Sequence, residues 1–227
     1  MKKTLMTISI VSILGFLTYQ GIKMYQPVDD IINDTAHFEK ILPGHKIKNG
    51  DIIFQTSKSS QSKAIQLATK SKYSHMGIIY EIDGQFFVYE AVQPVKLTLL
   101  KDWISRGKNR HYVIKRLKNA NKILTDETLV KMKQAGEKFK GKKYDLYFEW
   151  SDDKIYCSEL VWKIYKEATG IEIGKLEELS TFDLTNEIVR QKMKERYGEN
   201  IPLDEKVISP ASMFNSIELI TIKEHKK

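Results

Sequence analysis

Apolar residues fall at Cys157, Leu160, Val161, Ile164, Tyr165 and Ala168. This three-and-four spacing predicts a helix with one buried face, and Gly170 stands where it would stop. Residues 59–70 (SSQSKAIQLATK) predict another helix, with Ala64, Ile65, Leu67 and Ala68 inward. Elsewhere the period changes. After Gly50-Asp51 the run Ile52-Ile53-Phe54 reads as a short buried strand, and HYVIKRL (111–117) alternates as a second. Asp83-Gly84 between β-rich runs is a two-residue hairpin signal. A strand over 95–98 leads into a short helix around Trp103. Thr125 caps a helix running to Phe139, with Gly141 as its stop. Residues 183–197 predict a charged amphipathic helix ending at Gly198. Ser209-Pro210 opens one more helical turn, and 217–222 close the chain as a strand.

The hairpin signal sets a register. If Ile82 pairs with Gln85, Gly77 faces Glu90 and His75 faces Val92. His75 and Glu90 are then diagonal neighbours on one face, roughly 7–8 Å apart between backbones and within side-chain reach. Gly77 would leave space opposite Glu90.

The first 25 residues follow a different pattern. Met1-Lys2-Lys3 precedes an apolar run without any acid, about as long as the roughly 20 residues that span a bilayer. Residues 1–25 read as a signal peptide or N-terminal membrane anchor, with the rest of the chain outside the cytoplasm. Residues 26–49 read as a connector containing a short helix around Ile31, Ile32, Thr35 and Phe38, ended by Pro43-Gly44. Residues 50–227 form the expected globular domain.

Composition narrows the chemistry. The 227 residues are 41% hydrophobic and 29% charged, enough for a substantial core. The formal charge of +8 suits anionic surfaces, but no nucleic-acid motif accompanies it. One cysteine excludes an internal disulfide. The five histidines (His37, His45, His75, His111, His225) are scattered, so neither a metal nor a cofactor is expected.

A lone cysteine on an apolar stripe is ordinarily a small buried hydrophobe. A thiol in the first turn of a helix, however, meets unpaired N–H groups and the positive end of the helix dipole. A cysteine hydrolase needs such a thiol, an imidazole to take and return its proton, and a polar group to orient the ring. Cys157, His75 and Glu90 supply those types, though spacing does not bring the hairpin to the helix.

The segments GDIIFQ, SSQSKAIQLAT, YSHMGIIYE, YEAVQPVK, GKKYDLYFEWSDDKIYCSELVWKIY and VISPASMF resemble the YiiX family, a circularly permuted branch of the NlpC-type, papain-like cysteine amidases and peptidases. The resemblance runs from about Gly50 to Phe214. It implies an α+β fold in which a mostly antiparallel sheet packs against helices, one carrying the cysteine at its N-terminus. It also implies Cys157 as nucleophile, His75 as base and Glu90 as orienter. The backbone of Cys157 and Ser158 is the implied oxyanion site, with Tyr73, Tyr144 and Tyr156 as candidate cleft residues. The expected substrate is an amide, with peptides and isopeptides of the cell wall foremost. Two alternatives keep the same residues: a lipid acyltransferase or thioesterase, and a non-catalytic binding module.

Overall fold

A computed structural model describes residues 46–225. The anchor expected over 1–25 and the helix expected around Ile31 lie outside the described residues. The last residues of the connector belong to the domain. Ile47 is buried, Lys48 N–H donates to Asp51 Oδ2 (2.9 Å) and Arg116 Nη2 donates to the Lys46 carbonyl (2.8 Å).

Six strands form one antiparallel sheet. In chain order they are β1 (Ile52–Gln55), β2 (His75–Ile82), β3 (Gln85–Glu90), β4 (Lys96–Leu99), β5 (Tyr112–Leu117) and, last in the chain, β10 (Leu219–His225). Their spatial order is β10-β5-β1-β2-β3-β4. β1 and the first six residues of β2 are buried throughout, because helices cover both faces. Asp83 (φ 51°) and Gly84 (φ 74°) make the tight turn, and Ile82 pairs with Gln85 as the Asp-Gly signal predicts.

The β2–β3 ladder runs to Ile78–Tyr89, one step short of the expected Gly77–Glu90 pair. Nor is there open space at Gly77. A Cβ there would stand 2.5 Å from Val88 Cγ1, 2.7 Å from the Tyr89 carbonyl and 3.3 Å from Glu90 Cβ. The glycine permits close strand approach rather than leaving a hollow.

Helix α1 (Ser62–Thr69) starts later than expected, with Gln61 as N-cap. Ser62 does not cap it but bonds to the Ser74 hydroxyl at 2.6 Å. α2 (Leu100–Arg106) follows β4, and the short α3 (Ala120–Ile123) follows β5. α4 (Asp126–Glu137) is capped by Thr125, whose hydroxyl accepts the Thr128 N–H (3.3 Å). Two-residue ribbons that the pattern did not predict pair β6 (Lys143–Tyr144) with β7 (Lys154–Ile155), and β8 (Glu177–Glu178) with β9 (Lys206–Val207). α5 (Cys157–Thr169) is the cysteine helix, and Gly170 ends it in the left-handed conformation (φ 76°). α6 (Glu187–Tyr197) and α7 (Pro210–Phe214) complete the helices. Asn186 and Ser209 cap them through side-chain oxygens.

Leu160, Val161, Ile164 and Tyr165 of α5 are wholly buried in a core with Phe54, Met76, Ile78 and Tyr89 of the sheet. At about 1.5–3 kcal/mol for each large apolar side chain removed from water, this face holds the helix on the sheet. Tyr89 Oη reaches past it to donate to the Gly136 carbonyl of α4 (2.7 Å). The opposite face of the sheet, with Ile53, Ile79 and Val88, is buried too, and α2 supplies the fully buried Trp103.

Candidate active site

Cys157 is the first residue of α5 and only 2% exposed. The helix starts there because Tyr156 is extended (φ −104°, ψ 168°) and Glu159 reaches back to accept the Tyr156 N–H (3.4 Å). The Ser158 hydroxyl donates to the Ile208 carbonyl (2.7 Å), fastening the helix start to the segment before α7.

His75 opens β2. Its Nε2 lies 2.6 Å from Glu90 Oε2, and its ring stacks on Trp103 at 5.8 Å between centroids. The hairpin therefore brings the two together. Glu90 has no exposure, yet its second oxygen is also satisfied: Oε1 accepts from Thr98 Oγ1 (2.6 Å) and from Arg106 Nη2. Burial alone would raise the Glu90 pKa. Hydrogen bonds from His75 and Thr98, with the charges of His75 and Arg106, outweigh it and hold the carboxyl below the ordinary range. An ionised carboxylate only accepts, so His75 Nε2 carries a proton and Nδ1 is the ring nitrogen left for sulfur.

The imidazole obeys the same balance. Burial would lower its pKa, but hydrogen bonds to Cys157 and Glu90, and their negative charge, raise it to about 9. At neutral pH the ring is an imidazolium between a carboxylate and sulfur. A cation so placed favours negative charge on any group beside it.

Tyr144 lines the same cavity as Cys157. Burial first, then the charge of Cys157, pushes its phenol well above the usual range, and its hydroxyl also bonds to Cys157. Gln61 Nε2 donates to Tyr144 Oη (2.9 Å), while Gln61 Oε1 accepts from Arg196 Nη2 (2.8 Å). Arg196 can only donate, so the amide of Gln61 is fixed and the Tyr144 proton is directed towards Cys157. Tyr156 lines the same cavity from beneath, with its hydroxyl accepting the Ile208 N–H (3.1 Å) and its ring edge-on to Phe148.

Tyr73 is not a cleft residue. Its ring stacks on Phe214 (4.0 Å) and meets Phe54 edge-on (6.1 Å), and it lines neither cavity beside the cysteine. β2 begins only at His75, so strand alternation does not carry Tyr73 onto the face of the imidazole. Conversely, the pattern gave no sign of Gln61, Thr98 or Arg106. Thr98 was findable in principle, since Glu90 pairs with Lys96 and Thr98 lies two residues on.

A narrow apolar cleft of about 70 Å³ opens beside Cys157 and Ser158, walled by Ile65, Phe148, Leu179, Phe182 and Val189.

Residues 46–223 match the family described as "Permuted papain-like amidase enzyme, YaeF/YiiX, C92 family". The uncharacterized protein YiiX of Escherichia coli K12 is 48% identical over 175 residues, covering 77% of this chain and 85% of its own. A crystal structure of YiiX from Escherichia coli O157:H7, described as a metalloprotein, superposes with a TM-score of 0.75. It is 48% identical and covers 78% of this chain and 97% of that one. Among the described residues here, no group of three or more His, Cys, Asp or Glu is placed to hold a metal ion. Both oxygens of Glu90 are already taken, so the Cys157–His75–Glu90 set does not fit one.

Proposed function

The chain belongs to the YaeF/YiiX family of permuted papain-like amidases, and from that membership we propose that it is a thiol acyl hydrolase acting through Cys157, His75 and Glu90. The observation that supports this reading most is the His75 ring, held at 2.6 Å by a buried carboxylate on one nitrogen while Cys157 joins Glu90 in raising its pKa.

The Cys157 thiolate adds to the carbonyl carbon, forming a C–S bond as the carbonyl electrons move to oxygen. The Cys157 N–H and the Tyr144 O–H receive that oxyanion. Collapse breaks the bond to the leaving amine or alcohol, which takes its proton from His75 Nδ1. Water then adds to the thioester as His75 takes its proton, and collapse releases the acid and restores the thiolate.

The walls of the cleft bear on the substrate. The half that carries Cys157 is apolar and narrow, which suits a single aliphatic chain better than a folded peptide. This favours an acyl group with an aliphatic chain over a cell-wall peptide on that side, and keeps acyl transfer from lipid as the second reading. The apolar run after Lys2 and Lys3 would hold such an enzyme at a membrane, outside the cytoplasm.

Incubating the protein with an N-octanoyl amide and weighing it intact tests the proposal. An added octanoyl mass on Cys157 that is absent in Cys157→Ala and strongly reduced in His75→Ala is expected. Undiminished hydrolysis by Cys157→Ala would overturn it.

A further inference from the structure

The cleft has a second half, of which the chemistry above uses little beyond the His75 end. It is an open groove of about 750 Å³ that carries His75 and meets the apolar half at Gln61 and Tyr144. Its cations are Lys58, Arg106, Lys143 and Lys154, and no carboxylate lines it. A lysine-rich chain does not produce this everywhere. The trough of about 990 Å³ lined by Lys70 and Lys175 also carries Glu172, Glu177, Asp183 and Glu218.

Arg106 is already neutralised by Glu90, but the three lysines are exposed and form no ion pair among the described residues. Lys143 and Lys154 stand directly opposite each other in the β6–β7 ribbon. The ribbon is parallel, and the Asp145 carboxylate acts on Lys154 without forming an ion pair with it, so two like charges still meet at the groove and favour an anion there. The hydroxyls of Ser57 and Ser59 flank Lys58 on the facing wall and add neutral donors.

His75 must stand beside the leaving group to protonate it, so the half of the cleft that carries His75 is the leaving-group half. We propose that this groove binds an anionic group, a phosphate or a carboxylate, on the leaving half of the substrate. The proposal rests on the Cys157–His75 chemistry proposed above. The substrate would then be an amide or ester joining an aliphatic acyl chain to a negatively charged head.

The test needs no identified substrate. The rate of Cys157 alkylation by iodoacetamide is measured at fixed ionic strength with glycerol 3-phosphate, glycerate or glycerol added. The wild-type chain is compared with Lys58→Gln/Lys143→Gln/Lys154→Gln. One or both anions are expected to slow alkylation of the wild type while glycerol does not, and in the triple variant their affinity falls by about tenfold or more. Protection by the phosphate alone assigns a phosphate head, and by glycerate alone a carboxylate. Lack of protection by either anion, or equal protection in the triple variant, overturns the anion site and leaves the Cys157 chemistry standing. A Cys157 that iodoacetamide does not alkylate overturns both.

Discussion

Replacing Glu90 by glutamine should be more damaging than its size suggests. In the native site Oε1 accepts from Thr98 and Arg106 while Oε2 faces His75 Nε2 at 2.6 Å. Glutamine has one acceptor oxygen and one donor nitrogen. Arg106 can only donate, so the amide oxygen turns to it and to Thr98, and the NH₂ turns to His75. Nε2 must then be the bare nitrogen, and the ring proton sits on Nδ1, pointing at sulfur. The base is blocked by its own tautomer. The same kind of exchange in a Ser-His-Asp triad costs about ten-thousandfold in turnover. The charge on the ring gives a smaller, order-of-magnitude figure. The rise from 6.5 to about 9 is worth about 3 kcal/mol, shared between Cys157 and Glu90, and part of it disappears. The expected loss therefore lies between roughly tenfold and ten-thousandfold. The assay is the rate of Cys157 alkylation by iodoacetamide against pH, with thermal melts as a control for folding. Glu90→Ala leaves the ring free to choose its tautomer, so the order of reactivity should be wild type, then Glu90→Ala, then Glu90→Gln. A glutamine variant within tenfold of wild type at neutral pH, or one faster than the alanine variant, would refute orientation by Glu90.

Two further outcomes follow from the same coordinates. Gly77→Ala places a Cβ against Val88 Cγ1 and the Tyr89 carbonyl, and backbone cannot move aside as a flexible side chain would. It should cost about 1–3 kcal/mol, read as a lower urea midpoint with the slope unchanged, and an unaltered midpoint would contradict the close approach. Stability should also depend on pH through the buried pair. The raised pKa of His75 makes its contribution complete below 6.5 and lost as pH rises through about 9. The lowered pKa of Glu90 makes its share complete above 4.5 and lost as pH falls below that. Between 4.5 and 6.5 both are present. Denaturation of wild type against His75→Ala isolates this from other groups, such as Glu159, which burial raises to about 8 and which also weakens the fold as pH rises. A difference between the two proteins that stays flat from pH 6 to 10 would exclude a charged His75.

The hairpin and the cysteine helix were legible because each is locally encoded. Asp83-Gly84 fixes the strand register, and that register continued past the Ile78–Tyr89 pair points to His75 and Glu90 as neighbours, which their 2.6 Å contact makes them. The apolar spacing places Cys157 at a helix start with Gly170 as its end. What local pattern lacked was the second set of contacts. Thr98 and Arg106 reach Glu90 across the β3–β4 turn and the α2 helix, whose register no turn signal announces. Gln61 is oriented by Arg196, a residue far along the chain whose sequence position reads as an ordinary exposed helix face. Tyr73 misled for the opposite reason. Closeness in sequence to His75 suggested a shared cleft, but the strand that would have aligned them starts too late.

The permuted order has a consequence for how the protein is made. His75, Glu90, Thr98 and Arg106 all belong to the stretch from β2 to α2, and these elements precede α5 in the chain. Every group proposed to act on the sulfur is therefore synthesised before residue 157 is added. The sulfur comes last, and it meets those groups only once α5 has packed on the sheet and the domain has folded as a unit.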